Sequence, residues 1–217
     1  MKTQLTLVAL VLWSISLCGQ NNTYERTMLS TIESLDKAKS EEEFLTCVSQ
    51  FERMAKAEKT LWLPYYYGAY SLILLSYENA DGAEKDLLLD RAQEFLDQGL
   101  ELDPDESELH ALQAFLYPSR ILVDPMNRGM IYFELMFSEL EQAKALNPAN
   151  PRPLFLEGVS KLNLPPAMGG GPEVARPILE NAEAKFNTFQ HEDPLWPDWG
   201  ADANRAELDK LQKIERN

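Results

Sequence analysis

The residues from which this chain could build a chemical centre are few: two histidines, Cys47 beyond the apolar N-terminus, and a run of three glycines. His110 and His191 lie far apart, and neither belongs to a His-x-x-x-His pair or stands beside Cys47. Zinc hydrolysis therefore lacks its usual ligand set. His191-Glu192-Asp193 could grip a cation, but it leads into Pro194 and reads as a solvated loop. Gly169–Gly171 invites comparison with a phosphate cradle. No Lys-Ser or Lys-Thr follows it and no strand pattern precedes it, so it reads as a hairpin turn. There is no Gly-x-Ser-x-Gly elbow, and the acid pairs fall on solvated helix faces where ion pairing is the default. These residues predict no enzyme, no catalytic group, no metal and no cofactor.

What remains is recognition. Trp62, Tyr65, Tyr66, Tyr67, Tyr70 and Tyr77 crowd one short stretch. At helical spacing Trp62, Tyr66, Tyr70 and Tyr77 fall near one face while Tyr65 and Tyr67 project elsewhere, so they cannot all enter one core. Part of the cluster is free to line a groove and clamp an extended peptide or a helix; filling the core of a helix pair is its other use. Arg120, Arg128 and Arg152 lie near predicted turns, where each either offers a fork to an anion or pairs with a neighbouring acid. The candidate partner-binding residues are Trp62, Tyr65, Tyr66, Tyr70, Arg120 and Arg128.

The elements that must position them begin after an apolar leader. Met1-Lys2, the apolar run Leu5–Leu17 and the Ser16–Gln20 stretch have the layout of a secretory signal, here assigned to residues 1–19. The run falls short of the roughly 20 apolar residues that cross a bilayer, and no later segment does better. Cys18 could carry a lipid, but bulky Leu17 precedes it where a lipobox wants a small residue. Export to the periplasm or envelope, without a lipid anchor, is the expectation. The mature chain would keep Cys47 alone and could form no internal disulfide. Its offsets to Phe44, Val48 and Phe51 place that thiol in a core. With Lys2 removed, 19 basic side chains face 35 acids, a net charge of -16 that repels nucleic acid.

From there the pattern is helix after helix. A helix pair is expected over 23–58, its second member opened by a Ser40/Glu43 capping box. Helices follow at about 61–78 and 84–102, at 105–121 and 127–146, and at 152–162 and 173–189. Asp103-Pro104 and Asn147-Pro148 act as stops, because proline steers the preceding residue away from helical geometry. Pro177 requires that the last of these helices either start near Arg176 or kink. Pro194–Gly200 reads as a non-helical aromatic segment, and Leu208, Leu211 and Ile214 mark a final amphipathic helix.

Leu96–Pro104 and Leu140–Pro148 repeat one phrase, Leu-acid-Gln-small followed by Leu-Asp/Asn-Pro, at a spacing of 44 residues. Period alone is ambiguous among helical arrays. The side-chain register is not: Ala92, Leu96, Gly99 and Pro104 follow the tetratricopeptide second-helix pattern in full. Leu140, Ala143 and Pro148 follow it with Met136 in place of the first alanine, and Ala175, Leu179 and Ala182 follow it without the proline. Gly158 with Leu154, Tyr67-Gly68 and Gln113-Ala114 stand at the matching first-helix positions. The chain thus resembles a divergent tetratricopeptide repeat protein, of the kind exported by Gram-negative bacteria. The resemblance implies an all-α fold: a right-handed superhelical array of antiparallel hairpins with a C-terminal cap. Residues 20–217 then form one domain, with the first pair at 23–58, three repeat-like pairs over about 60–189 and the cap at 194–217. It implies a non-catalytic interaction or scaffold module that binds a protein segment on its concave face. The alternative is a small-ligand-binding accessory of an envelope transporter.

Overall fold

The computed structural model describes residues 23–79 and 81–215; the expected signal segment with Cys18, and the side chain of Ile214, lie outside what it describes. Among the described residues there are nine α-helices and no strand. They are α1 (residues 23–35), α2 (Glu41–Ala57), α3 (Leu63–Glu78), α4 (Gly82–Leu102) and α5 (Ser107–Val123). There follow α6 (Pro125–Leu146), α7 (Arg152–Asn163), α8 (Pro172–Phe186) and α9 (Ala201–Glu215).

Local chemistry sets the boundaries. Ser40 and Glu43 form the expected reciprocal box, with Glu43 N–H donating to Ser40 Oγ at 3.3 Å and Ser40 N–H to Glu43 Oε2 at 3.0 Å. Asp81 caps α4 by accepting the amides of Ala83 and Glu84. The helices before Pro104 and Pro148 stop at Leu102 and Leu146, as the proline rule requires. Helix α1 ends at residue 35, and residues 36–39 turn the chain to the Ser40 cap. Helix α8 starts at Pro172 and runs through Pro177. Pro177 is exposed, as is Glu173, whose carbonyl it deprives of a helical donor, so solvent can take that carbonyl.

The helices pair with their sequence neighbours, and contacts of α3 with α5 and of α5 with α7 link the first helices of successive pairs. Thr31 Oγ1 on α1 bonds Gln50 Oε1 on α2 at 2.7 Å, joining the first pair. The small residues sit where helices touch. A Cβ on Gly158 would stand 2.5 Å from Leu179 Cδ2 across the α7–α8 pair, and one on Gly68 would stand 2.7 Å from Phe95 across α3–α4. Ala92, Ala143, Ala175 and Ala182 are all fully buried, which places the repeated phrase on the packed side of each second helix. Cys47 is a buried free thiol in the same core as Phe44, Val48 and Phe51, and burial pushes its pKa up.

Candidate functional site

The aromatic stretch lies on α3, as its spacing implied, with Trp62 as its cap residue; Trp62, Tyr65 and Tyr70 are half-buried. The non-helical segment 194–200 crosses it as a strap. Trp196 packs edge-on against Trp62 (ring centroids 5.3 Å apart), Tyr67 Oη donates to the Leu195 carbonyl at 2.9 Å, and Trp199 Nε1 donates to Tyr66 Oη at 2.6 Å. Tyr66 is 0 % exposed. Tyr70 is stacked on Trp199 at 5.6 Å, and Tyr65 turns the other way, toward the Ala55 carbonyl and the edge of Phe95. Burial drives the Tyr66, Tyr67 and Tyr70 hydroxyls well above the ordinary phenol range. Gly200 closes the strap with φ +106°, and a Cβ there would meet Phe186 at 2.9 Å.

The two arginines of the candidate set are also engaged by the chain. Arg128 on α6 grips Asp86 on α4 through both oxygens, at 2.7 and 2.8 Å, and Arg120 on α5 bonds Asp86 at 3.0 Å and Asp90 at 2.6 Å. The hydrogen bond from Arg128, helped by Arg120, holds the Asp86 carboxyl below the usual carboxylate range. Arg152 is buried under the strap, donating to Glu108 Oε1 at 2.8 Å and to the Pro197 carbonyl, with its guanidinium 5.4 Å from the Trp199 ring. Burial outweighs the arginine and pushes the Glu108 carboxyl up to about 7. All six candidate residues are thus placed, and five of them serve internal contacts around the strap or Asp86, while Tyr65 serves the α2–α4 packing.

An open site lies one step along the array. Helices α5, α6 and α7 diverge to leave a cleft of about 490 Å³, within the roughly 300–1,000 Å³ range of small-molecule sites. Its floor is Phe115 with Tyr77 from the end of α3; Phe133 and Met136 line it from α6, and Leu156 and Val159 from α7. The first half of α6 buries no side chain: its buried residues begin at Met136, and before that it rests on half-buried Tyr132, which stacks on Tyr117 of α5, on half-buried Phe133 and on the Arg128–Asp86 pair. Met130 and Ile131 stand 74 % and 61 % exposed on this half-helix, and Leu122 on the cleft edge is 57 % exposed. Pro118, inside α5, withdraws the amide that would have bonded the Ala114 carbonyl, and both residues line the cleft.

Polar groups are sparse in the cleft. Ser160 Oγ donates to Met136 Sδ at 3.5 Å, and Tyr77 Oη to the Phe115 carbonyl at 3.2 Å. Lys161 closes the α6–α7 seam with its ammonium 4.9 Å from the Phe137 ring. Neither histidine lines the cleft. His110 is clamped between Glu139 Oε2 (2.7 Å) and the Pro104 carbonyl (2.9 Å), and His191 stacks on Trp196 at 3.7 Å. No group of three potential metal ligands occurs among the described residues. Sequence reasoning missed this site. Its signal was the apolar residues scattered around α6, at Met126, Met130, Ile131 and Leu135, which no single buried face can absorb.

The fold and the cleft define an all-helical protein with a preformed apolar cavity on the side of its first helices. No protein-family model matches the sequence, and no curated protein matches it. Among solved structures the chain is similar to the HusA haemophore from Porphyromonas gingivalis, with a TM-score of 0.77 and 29 % sequence identity over 89 % of this chain and 93 % of that one. No helix among the described residues is long and apolar enough to cross a membrane.

Proposed function

We propose that this protein is an exported, non-catalytic carrier that holds a flat apolar molecule of the tetrapyrrole class in the α5–α6–α7 cleft. The cleft carries the reading: it is preformed, nearly all apolar, floored by aromatic rings and of small-molecule size. Similarity along almost the whole chain to a haemophore supports the ligand class, and the leader-like N-terminus supports export. A protein segment on the concave aromatic face is the weaker reading, since the strap already lies on Trp62, Tyr66 and Tyr70.

The lining favours the ring over any metal within it. Its one soft donor is the Met136 thioether, which already accepts the Ser160 hydroxyl. Phe115, Phe133 and Val159 offer face and edge contacts that a metal-free macrocycle satisfies equally well. The test is a Soret-band titration of the chain from residue 20 onward with haemin and with metal-free protoporphyrin IX. Saturable one-to-one binding of both, removed by a Val159→Trp change that fills the cleft without unfolding the protein, is the expected result. Binding that survives this change, or none at all, refutes the proposal.

A further inference from the structure

The strap raises a question that cleft binding alone leaves open: why a segment more than 120 residues along the chain lies on α3 with two tryptophans. Trp196 packs on Trp62 beside the buried Arg152–Glu108 pair, while Trp199, also within 5.4 Å of the Arg152 guanidinium, reaches on to rings of α3 and α5. Its indole lies 17° from the plane of Tyr70 (5.6 Å) and 25° from that of Phe115 (5.4 Å), and those two rings are 6.4 Å from each other. Tyr66 packs on Tyr70 (26°, 6.3 Å) and Tyr77 on Phe115 (29°, 5.5 Å). Five rings from α3, α5 and the strap thus form one cluster. Tyr66, on one side of it, is fully buried; Phe115 and Tyr77, on the other, belong to the floor of the cleft.

We infer that Trp199 is a positioning residue for the cleft: it fixes the Phe115 ring that a flat ligand meets on the cleft floor. The Phe115 ring packs against Tyr77 and Tyr70 of α3 and against Trp199, the one of the three that the strap brings to it. Trp199 is itself held at its nitrogen by Tyr66 Oη and near its backbone by Arg152, which bonds the Pro197 carbonyl two residues earlier. A ring held from behind loses less freedom when a ligand stacks on its front. This inference rests on the cleft reading, and it adds that the C-terminal strap sets the plane in which the ligand lies.

Protoporphyrin IX is the probe, followed by Soret absorbance for affinity and by induced circular dichroism in the same band for orientation. Four proteins are compared: wild type, Trp199→Phe, Trp199→Leu, and Trp196→Leu, which disturbs the strap at its contacts with Trp62 and His191 rather than at the Trp199 cluster. Trp199→Phe keeps a flat ring and retains wild-type affinity and the sign of the induced signal. Trp199→Leu weakens binding by roughly two- to twelve-fold, the worth of one aromatic pair, and changes the shape of the induced signal. Trp196→Leu lowers thermal stability and leaves the induced signal unchanged. Wild-type affinity and an unaltered signal in Trp199→Leu, or an equal change in Trp196→Leu, overturns the positioning role while the cleft reading stands. A wild-type protein that binds no porphyrin overturns the cleft reading and this inference with it.

Discussion

The wall of the cleft provides the sharpest test, because the Arg128–Asp86 pair ties the start of α6 to α4. Before Met136, helix α6 has no buried side chain, so replacing Arg128 by Met removes its two bonds to Asp86 while Arg120 stays on the same carboxylate. A charge-assisted hydrogen bond contributes about 1.5–3 kcal/mol when shielded. Here the side chains are 31 % and 25 % exposed, which screens the pair toward surface values of about 0.2–1 kcal/mol. A net loss of about 1 kcal/mol is the expected middle, and it raises the open population of the half-helix roughly five-fold. Native-state hydrogen exchange read by mass spectrometry should show amides 129–135 exchanging about five times faster. Helix α8, which has no link to Asp86, should be unchanged, and so should porphyrin affinity, because an open state that stays a minority leaves the closed fraction near one. Unaltered exchange at 129–135, or an equal rise in α8, would show that the half-helix is held by something other than this pair.

Other expectations are independent of that one. Gly158→Val drives a side chain into Leu179 and should cost about 2 kcal/mol, lowering the melting temperature by roughly 4–8 °C. Pro118→Ala restores a donor to the Ala114 carbonyl and should stabilise α5 by roughly 1–3 kcal/mol in urea unfolding; no gain would mean that the carbonyl is already satisfied. Stability should also fall as pH rises from 5.5 to 8. For Glu108, raised in the fold to about 7, the proton favours the folded state, so its contribution is full below pH 4.5 and is lost as pH passes 7, about 2 kcal/mol across that window. His110 adds to the same slope. Burial alone would lower its pKa, but Glu139 and the Pro104 carbonyl raise it, so its contribution is full below pH 6.5 and disappears above the folded value. Glu108→Gln should remove most of the slope; a pH profile like that of the wild type would assign the slope to other groups.

Much of the architecture was legible because its determinants are local. The Ser40–Glu43 box and the proline stops act at single helix ends, and the small residues at 92, 99, 143, 158 and 182 lie buried where helices meet, Gly99 against Leu109 of the next pair. The candidate site was legible only as composition. Tyr66, Tyr67 and Tyr70 of α3 all meet the segment around Trp196 and Trp199, which has no periodicity and lies at a sequence separation beyond any pattern argument. Arg120 and Arg128 read as anion forks or as ion-pair partners, and the acid that binds both, Asp86, is 34 and 42 residues away from them, beyond the reach of local pattern. The cleft itself arises where packing is incomplete, between a half-helix without buried side chains and α7, and a missing contact leaves only an indirect mark in sequence.

The strap also bears on how such a chain can change over evolutionary time. Hairpin arrays ordinarily lengthen or shorten by whole units, since each unit meets only its neighbours and stability accrues along one dimension. Here Trp199 reaches back 133 residues to Tyr66, so the last part of the chain is measured against the second helix pair. Inserting or deleting one hairpin between them would carry Trp199 out of register with Tyr70 and Phe115. The strap therefore fixes how many helix pairs can lie between α3 and segment 194–200, and it ties the two into a unit expected to unfold in one cooperative step.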